Sequence, residues 1–192
     1  MKRLTEKKVL HSVNPEQYPD IEVEFTRYNT ATEILNEATS ETVSGKKTVS
    51  VKARLAKVGD VVDTNPRVSI DGKVYTFSEV KRTVTEEDVK NGSIIVTNPD
   101  GEEYFMGQAK FESKYNIEKA NEDGSYTCKP KGNIASFKKV VGNVVVNQWG
   151  TDWFVTDGGY VANNPDDCYP ITNEAFNKTY EVVNSKDMGG KQ

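Results

Sequence analysis

Residues 96–115 read VTNPDGEEYFMGQAKFESKY, and residues 161–180 read VANNPDDCYPITNEAFNKTY. Both hold Asn-Pro-Asp, then a Tyr, then a Phe seven positions on, then a Tyr four after that. The rings are Tyr104, Phe111 and Tyr115 in one stretch and Tyr169, Phe176 and Tyr180 in the other. A spacing of seven and then four places three rings near one face if the last part is helical. Strand, turn, strand and a short helical turn fit both stretches, which predicts two halves on a related plan.

Outward from these stretches the chain alternates short strands and turns. Ile21 to Tyr28, IEVEFTRY, alternates apolar and polar residues with the period of a half-buried strand. Thr30 to Thr42 reads as a short helix capped by Thr30 or Thr32, and Ser44-Gly45 as the turn that closes it. Thr48 to Ala56, Val58 to Val62 and Ser93 to Thr97 read as strands. Val68 to Phe77 reads as a hairpin whose Asp71-Gly72 suits a two-residue primed turn. Strands are also expected at Ser136 to Val140, Val144 to Gln148 and Asp152 to Thr156. The fold class is therefore α+β and β-dominated, with two related small antiparallel β modules and a short N-terminal strand and helix. The expected boundaries are 1–45 for that N-terminal segment, 46–118 and 119–183 for the modules, and 184–192 for a frayed tail.

Composition narrows the functional classes. Hydrophobic residues make up 35% of the 192 residues and mean hydropathy is −0.67, so each half has a thin core that leans on its nine Tyr, seven Phe and two Trp. Net charge is −4, with no strongly basic segment, which disfavours general nucleic-acid binding. No run reaches the ~20 apolar residues that span a bilayer, and the N-terminus lacks the apolar stretch of a signal peptide. Cys128 and Cys168 have no CxxC spacing, so free thiols in a reducing cytoplasm are the default expectation, with one disulfide as the alternative.

Gly158-Gly159-Tyr160-Val161, Tyr169-Pro170-Ile171 and Phe176-Asn177-Lys178-Thr179-Tyr180-Glu181 together resemble a small module of bacteriophage and bacterial proteins, named for its Pro-Gly-Asp-Tyr-Gly motif. The chain departs at the motif's core, where Gly159 stands in place of Asp and no Pro precedes the turn. The resemblance covers about a third of the chain. It implies a phage-like origin and a small β module, and it transfers no active site.

Little in the sequence suggests catalysis. The single histidine, His11, lies in an N-terminal stretch expected to be mobile, and any Ser-His-Asp or Cys-His system would have to use it. Asp166-Asp167, Asp71 and Asp100 fall in turns, where carboxylates ordinarily accept local N–H groups, and no ligand spacing for a metal is present. Gly158-Gly159 precedes neither Lys-Ser/Thr nor a helix, so no phosphate loop is expected. No catalytic residue, metal or cofactor is assigned. The candidate ligand patch is Lys129, Lys131, Lys138 and Lys139 beside Trp149, Trp153 and Tyr160, since cations with exposed rings bind nucleotides by charge and stacking. The competing reading makes the rings core and the lysines a solvated sheet edge. Trp149 and Trp153, four apart, would share a strand face. The leading expectation is a non-catalytic, phage-encoded binding protein in the host cytoplasm that takes a host protein or a small signalling molecule. The alternatives are a virion structural or decoration protein, homo-oligomeric or part of a shell, and a nucleotide-acting enzyme with carboxylate chemistry.

Overall fold

A computed structural model describes residues 3–64, 66–77, 80–99, 101–148, 151–164 and 167–183. Strands β1 (Thr5–Ser12) and β2 (Ile21–Tyr28) lead through α1 (Ala31–Glu37) into β3 (Thr39–Lys47). Next come β4 (Val51–Leu55), β5 (Val61–Thr64), β6 (Arg67–Ile70), β7 (Lys73–Thr76), β8 (Val80–Thr83) and α2 (Glu86–Lys90). The middle continues with β9 (Ser93–Thr97), β10 (Glu103–Gly107), α3 (Gln108–Lys114), β11 (Tyr115–Ala120) and β12 (Tyr126–Pro130). The last third holds β13 (Ala135–Val140), β14 (Val144–Gln148), β15 (Thr151–Val155), β16 (Tyr160–Asn164), β17 (Asp167–Ile171), α4 (Asn173–Thr179) and β18 (Tyr180–Val183). Among the described residues, strand at 55% against helix at 15% makes this a β-dominated α+β fold.

The chain divides into two units that are interleaved in sequence. Unit 1 takes Met1–Lys46, Pro66–Ser78 and Ile134–Gln192; unit 2 takes Lys47–Asn65 and Glu79–Asn133. This differs from consecutive modules bounded at 45/46 and 118/119, and the pairing explains why. The N-terminal strands are no separate segment, because β1 and β2 join β14, β15, β6 and β7 in one sheet of order β15-β14-β2-β1-β7-β6. The β6–β7 hairpin is placed in unit 1 by pairing with β1 and by Val68, Tyr75 and Phe77, which pack with Leu10, Phe25, Val145 and Phe154. Residues 119–133 stay in unit 2 because β12 pairs with β4. Unit 1 has a second sheet, β17-β16-β13-β3-β18; unit 2 has β10-β9-β4-β12-β11 and the ribbon β5-β8. The described pairings are antiparallel except β2 with β14.

Local sequence accounts for most elements. In β2, Phe25 is fully buried while Glu22 and Glu24 face solvent, as alternation of Cβ direction requires. Asp71 and Gly72 both take positive φ, 52° and 77°, in the two-residue turn that sets the register Ile70↔Lys73. Thr30 caps α1 through the Glu33 N–H at 3.2 Å. The helix stops at Glu37, well short of Thr42, and Thr39 to Lys47 form β3. Ser44-Gly45 is therefore mid-strand, not a turn. Gly45 is needed there because a Cβ would stand 3.2 Å from Phe137 and 3.3 Å from Phe176. Two core clusters fill the sides of unit 1's first sheet. One joins Ile34 and Leu35 of α1 to Val140, Val144, Val146, Val155 and Val161, and the other surrounds Phe25 and Phe154. In unit 2, α3 lays Phe111 on Val51, Ala53, Val96 and Cys128. Among the described residues no helix is long and apolar enough to cross a membrane.

Candidate functional site

Two of the three rings expected to stack on a ligand, Tyr160 and Trp153, pack on protein instead. Tyr160 is 7% exposed, and its ring lies 3.8 Å from that of Phe176 in a stacked arrangement. Trp153 on β15 is half-buried, packs edge-on to Phe77 at 6.0 Å, and touches both large cores of unit 1. Trp149 lies outside the described residues. The four lysines are divided. Lys129 and Lys131 are exposed residues of unit 2, whereas Lys138 and Lys139 are half-buried on β13 of unit 1. As successive strand residues, Lys138 and Lys139 point to opposite faces of their sheet. The six described residues therefore make no single patch within either unit.

Other reactive side chains are also engaged locally. His11 belongs to β1, not to a mobile arm; its Nδ1 lies 3.0 Å from Asp20 Oδ2, and Asp20 also accepts the Ser12 N–H at 2.8 Å. These bonds, the histidine's first, hold the Asp20 carboxyl below its ordinary range. Cys128 and Cys168 are free and fall in different units. Burial pushes the Cys128 thiol up, which makes it a poor nucleophile. Among the described residues no three His, Cys, Asp or Glu side chains are grouped to hold a metal.

Two polar clusters were not visible in the sequence. In unit 2, Lys47 Nζ donates to Tyr104 Oη at 2.7 Å, Tyr115 Oη at 2.6 Å and Asn98 Oδ1 at 3.3 Å. An ammonium has three N–H donors, and here each finds an acceptor, so the lysine ties the NPD turn to both repeated tyrosines. The tyrosine spacing hinted at a shared face, but nothing pointed to Lys47. In unit 1, Arg27 reaches both oxygens of Glu6, at 2.9 and 2.8 Å, and both of Asp152, at 2.8 and 3.0 Å. The paired guanidinium holds the Asp152 carboxyl below its ordinary range. Its stabilising contribution is full above the ordinary carboxylate pKa and is lost as pH falls through the lowered one. The unfolding midpoint should therefore drop from about pH 4 downward. Arg27→Ala should cost about 1–3 kcal/mol at neutral pH, between exposed and buried pairs, and should flatten that acid limb. Urea titrations at a series of pH values read both effects.

Unit 2 offers two surface features. A shallow depression of about 130 Å³ is lined by Lys52, Ala53, Arg54, Thr97, Asp123 and Ser125. It is well below the ~300–1,000 Å³ that encloses a drug-sized ligand. Of its charged groups, Arg54 pairs with Glu103 at 2.9 Å and Asp123 accepts the Ser125 hydroxyl at 2.6 Å. The second feature is the β4–β5 connection. Leu55, Val58 and Val61 are 59%, 57% and 48% exposed within seven residues. The segment is held firmly. Asp60 Oδ2 accepts the Lys57 N–H at 3.0 Å, the Gly59 N–H donates to Val84 O at 3.0 Å, and the Val84 N–H donates to Asp60 O at 2.8 Å. Three apolar side chains thus stand exposed on and beside one hydrogen-bonded loop; contiguous apolar surface of that kind marks protein contacts. Val58, expected in a strand, lies in the turn before β5, which explains its exposure. No family model, no curated protein and no solved structure matches the chain.

Proposed function

We propose that the chain is a non-catalytic binding protein whose ligand is another protein, docked on the Leu55, Val58 and Val61 loop of unit 2. The phage-like origin implied by the resemblance in its second half would make that partner a host protein. The observation that carries this reading is the exposed apolar trio on and beside a hydrogen-bonded loop, set against Tyr160 and Trp153, whose rings pack inside unit 1. Apolar area left in water on a rigid segment is area already organised for burial in an interface.

Native mass spectrometry of the protein purified from a cell lysate tests it. The expected result is a complex with a second polypeptide. Val58→Glu should weaken that complex at least tenfold, since a charge buried in an apolar contact costs more than about 1.4 kcal/mol. The thermal midpoint should stay nearly unchanged, as for other exposed positions. A retained mass of a few hundred daltons, indifferent to Val58→Glu, would instead establish a small-molecule ligand and refute the protein-docking reading.

The same reading includes a plan of two copies of one module. Support comes from register across four strands. In unit 2, Tyr104, Val96, Ala53 and Tyr126 lie in one row across β10, β9, β4 and β12. In unit 1 the matching row across β17, β16, β13 and β3 is Tyr169, Ala162, Phe137 and Val43. Each row starts at the repeated tyrosine, with the repeated Phe on the following helix and the second Tyr on the edge strand after it. The two hydroxyls meet in both units, Tyr104 with Tyr115 at 3.1 Å and Tyr169 with Tyr180.

A further inference from the structure

We infer that the two copies have exchanged their first strands within the chain, and that the same exchange between two chains makes a second copy of this protein one of its partners. The inference rests on the two-copy reading above. In sequence order each copy runs first strand, second strand, hairpin, helix, last strand. For the first copy these are β3, β4, β9–β10, α3 and β11; for the second they are β12, β13, β16–β17, α4 and β18. In space, β3 lies between β13 and β18 of the second copy, and β12 lies between β4 and β11 of the first. Each first strand thus occupies the slot that its own copy would give it, but in the other copy's sheet.

The connections suit such an exchange. Three residues, 48–50, link β3 to β4, and four, 131–134, link β12 to β13. Loops of that length ordinarily close antiparallel hairpins. Here neither link joins strands of one sheet. A link that can serve as a hairpin turn or run straight across is the hinge of a strand swap, which is a low-cost route to dimers.

Side-chain volumes favour the exchanged form over self-closed copies. By register Gly45 and Cys128 occupy equivalent positions, and so do Phe137 and Ala53. Phe137 crowds Gly45 so closely that a Cβ there would stand 3.2 Å from its ring. Ala53, being small, leaves room for the fully buried Cys128. Closure of each copy on itself would set Gly45 beside Ala53, leaving a hole, and Cys128 beside Phe137, making a clash. The large and small partners are complementary in the exchanged pairing alone. Between chains, residues 1–46 of one molecule would complete unit 1 of another, with 48–50 as the hinge.

The experiment uses the full chain carrying Ser44→Cys, Lys52→Cys, Thr127→Cys and Ser136→Cys. Ser44 is opposite Ser136, and Lys52 opposite Thr127. Self-closed copies would pair 44 with 52 and 127 with 136. The protein is refolded at low and at high concentration, oxidised, and mapped by non-reducing electrophoresis and peptide mass. The expected result is 44–136 and 52–127 within monomers at low concentration, and a dimer at high concentration whose 44–136 bond joins two chains. Predominant 44–52 and 127–136 bonds overturn the exchange while leaving the two-copy plan standing. Bonds belonging to neither set overturn the register equivalence and with it the two-copy plan. Monomers alone at every concentration overturn the self-association.

Discussion

Phe176→Ala is expected to destabilise unit 1 by about 3–5 kcal/mol, the range for a fully buried ring removed from a packed core. Phe176 is 1% exposed at the centre of a four-ring assembly. Tyr160 stacks on it at 3.8 Å, Tyr180 at 5.0 Å, and Phe137 meets it edge-on at 5.2 Å. Truncation removes three aromatic contacts, leaves a cavity, and releases the edge of the Phe137 ring from Gly45. The closest counterpart in unit 2, Phe111, stacks on Tyr115 at 5.2 Å and is the less enclosed of the two. Both tryptophans belong to unit 1's residue ranges, so their fluorescence follows that unit. Phe176→Ala should move the fluorescence-detected urea midpoint down by about 1.5–2.5 M, for a slope of about 2 kcal/mol/M. Phe111→Ala should move it far less, with its effect seen in circular dichroism instead. A Phe176→Ala shift under about 1 kcal/mol would show that the stack carries little of unit 1's stability.

Those rings were legible in the sequence as a repeated spacing, and the expected two strands followed by a helix are found in both stretches. Short-range signals worked where local chemistry decides the backbone, as at Asp71-Gly72 and at the Thr30 cap. They failed where a distant residue decides. Ser44-Gly45 looks like a turn on local grounds; it is a strand because Phe137 and Phe176, over ninety residues on, need a glycine beneath them. The same contact from β13 draws Thr39 to Thr42 out of the helix that Thr30 starts. Interleaving of the units was illegible for the same reason, since periodicity says which face of β3 is buried but not which sheet receives it. The aromatic–basic patch failed differently. Composition cannot distinguish a ring that waits for a ligand from one that completes a thin core, and here Tyr160 and Trp153 do the latter. The exposed Leu55, Val58 and Val61 lay inside segments that read as strands, where apolar residues are expected to be buried.

Gly159→Asp is the second substitution with a large expected effect, and it tests the point at which the chain departs from the motif of the phage and bacterial module proposed for its second half. That module carries Asp where Gly159 stands. Here Gly159 is buried in the turn between β15 and β16, and a Cβ at this position would collide with Val155. It would also stand 3.1 Å from the Ile171 carbonyl oxygen and 3.2 Å from that of Thr156. Gly159→Ala therefore forces Val155, a core residue, to shift, at about 1–3 kcal/mol for overpacking. Gly159→Asp adds a carboxylate facing two carbonyl oxygens, none of which can donate to it, and burying such a charge costs at least a further ~1–3 kcal/mol. The expected order by fluorescence-detected unfolding is wild type, then Gly159→Ala, then Gly159→Asp, with the last close to the unfolded baseline at physiological temperature. Val155→Ala should recover part of the alanine variant's loss by removing the colliding methyls, and little of the aspartate's, because the carbonyls remain. Equal stability of Gly159→Asp and wild type would mean that the turn can open to the module's own geometry, and that the glycine is a neutral departure rather than one fixed by the packing of Val155 against it.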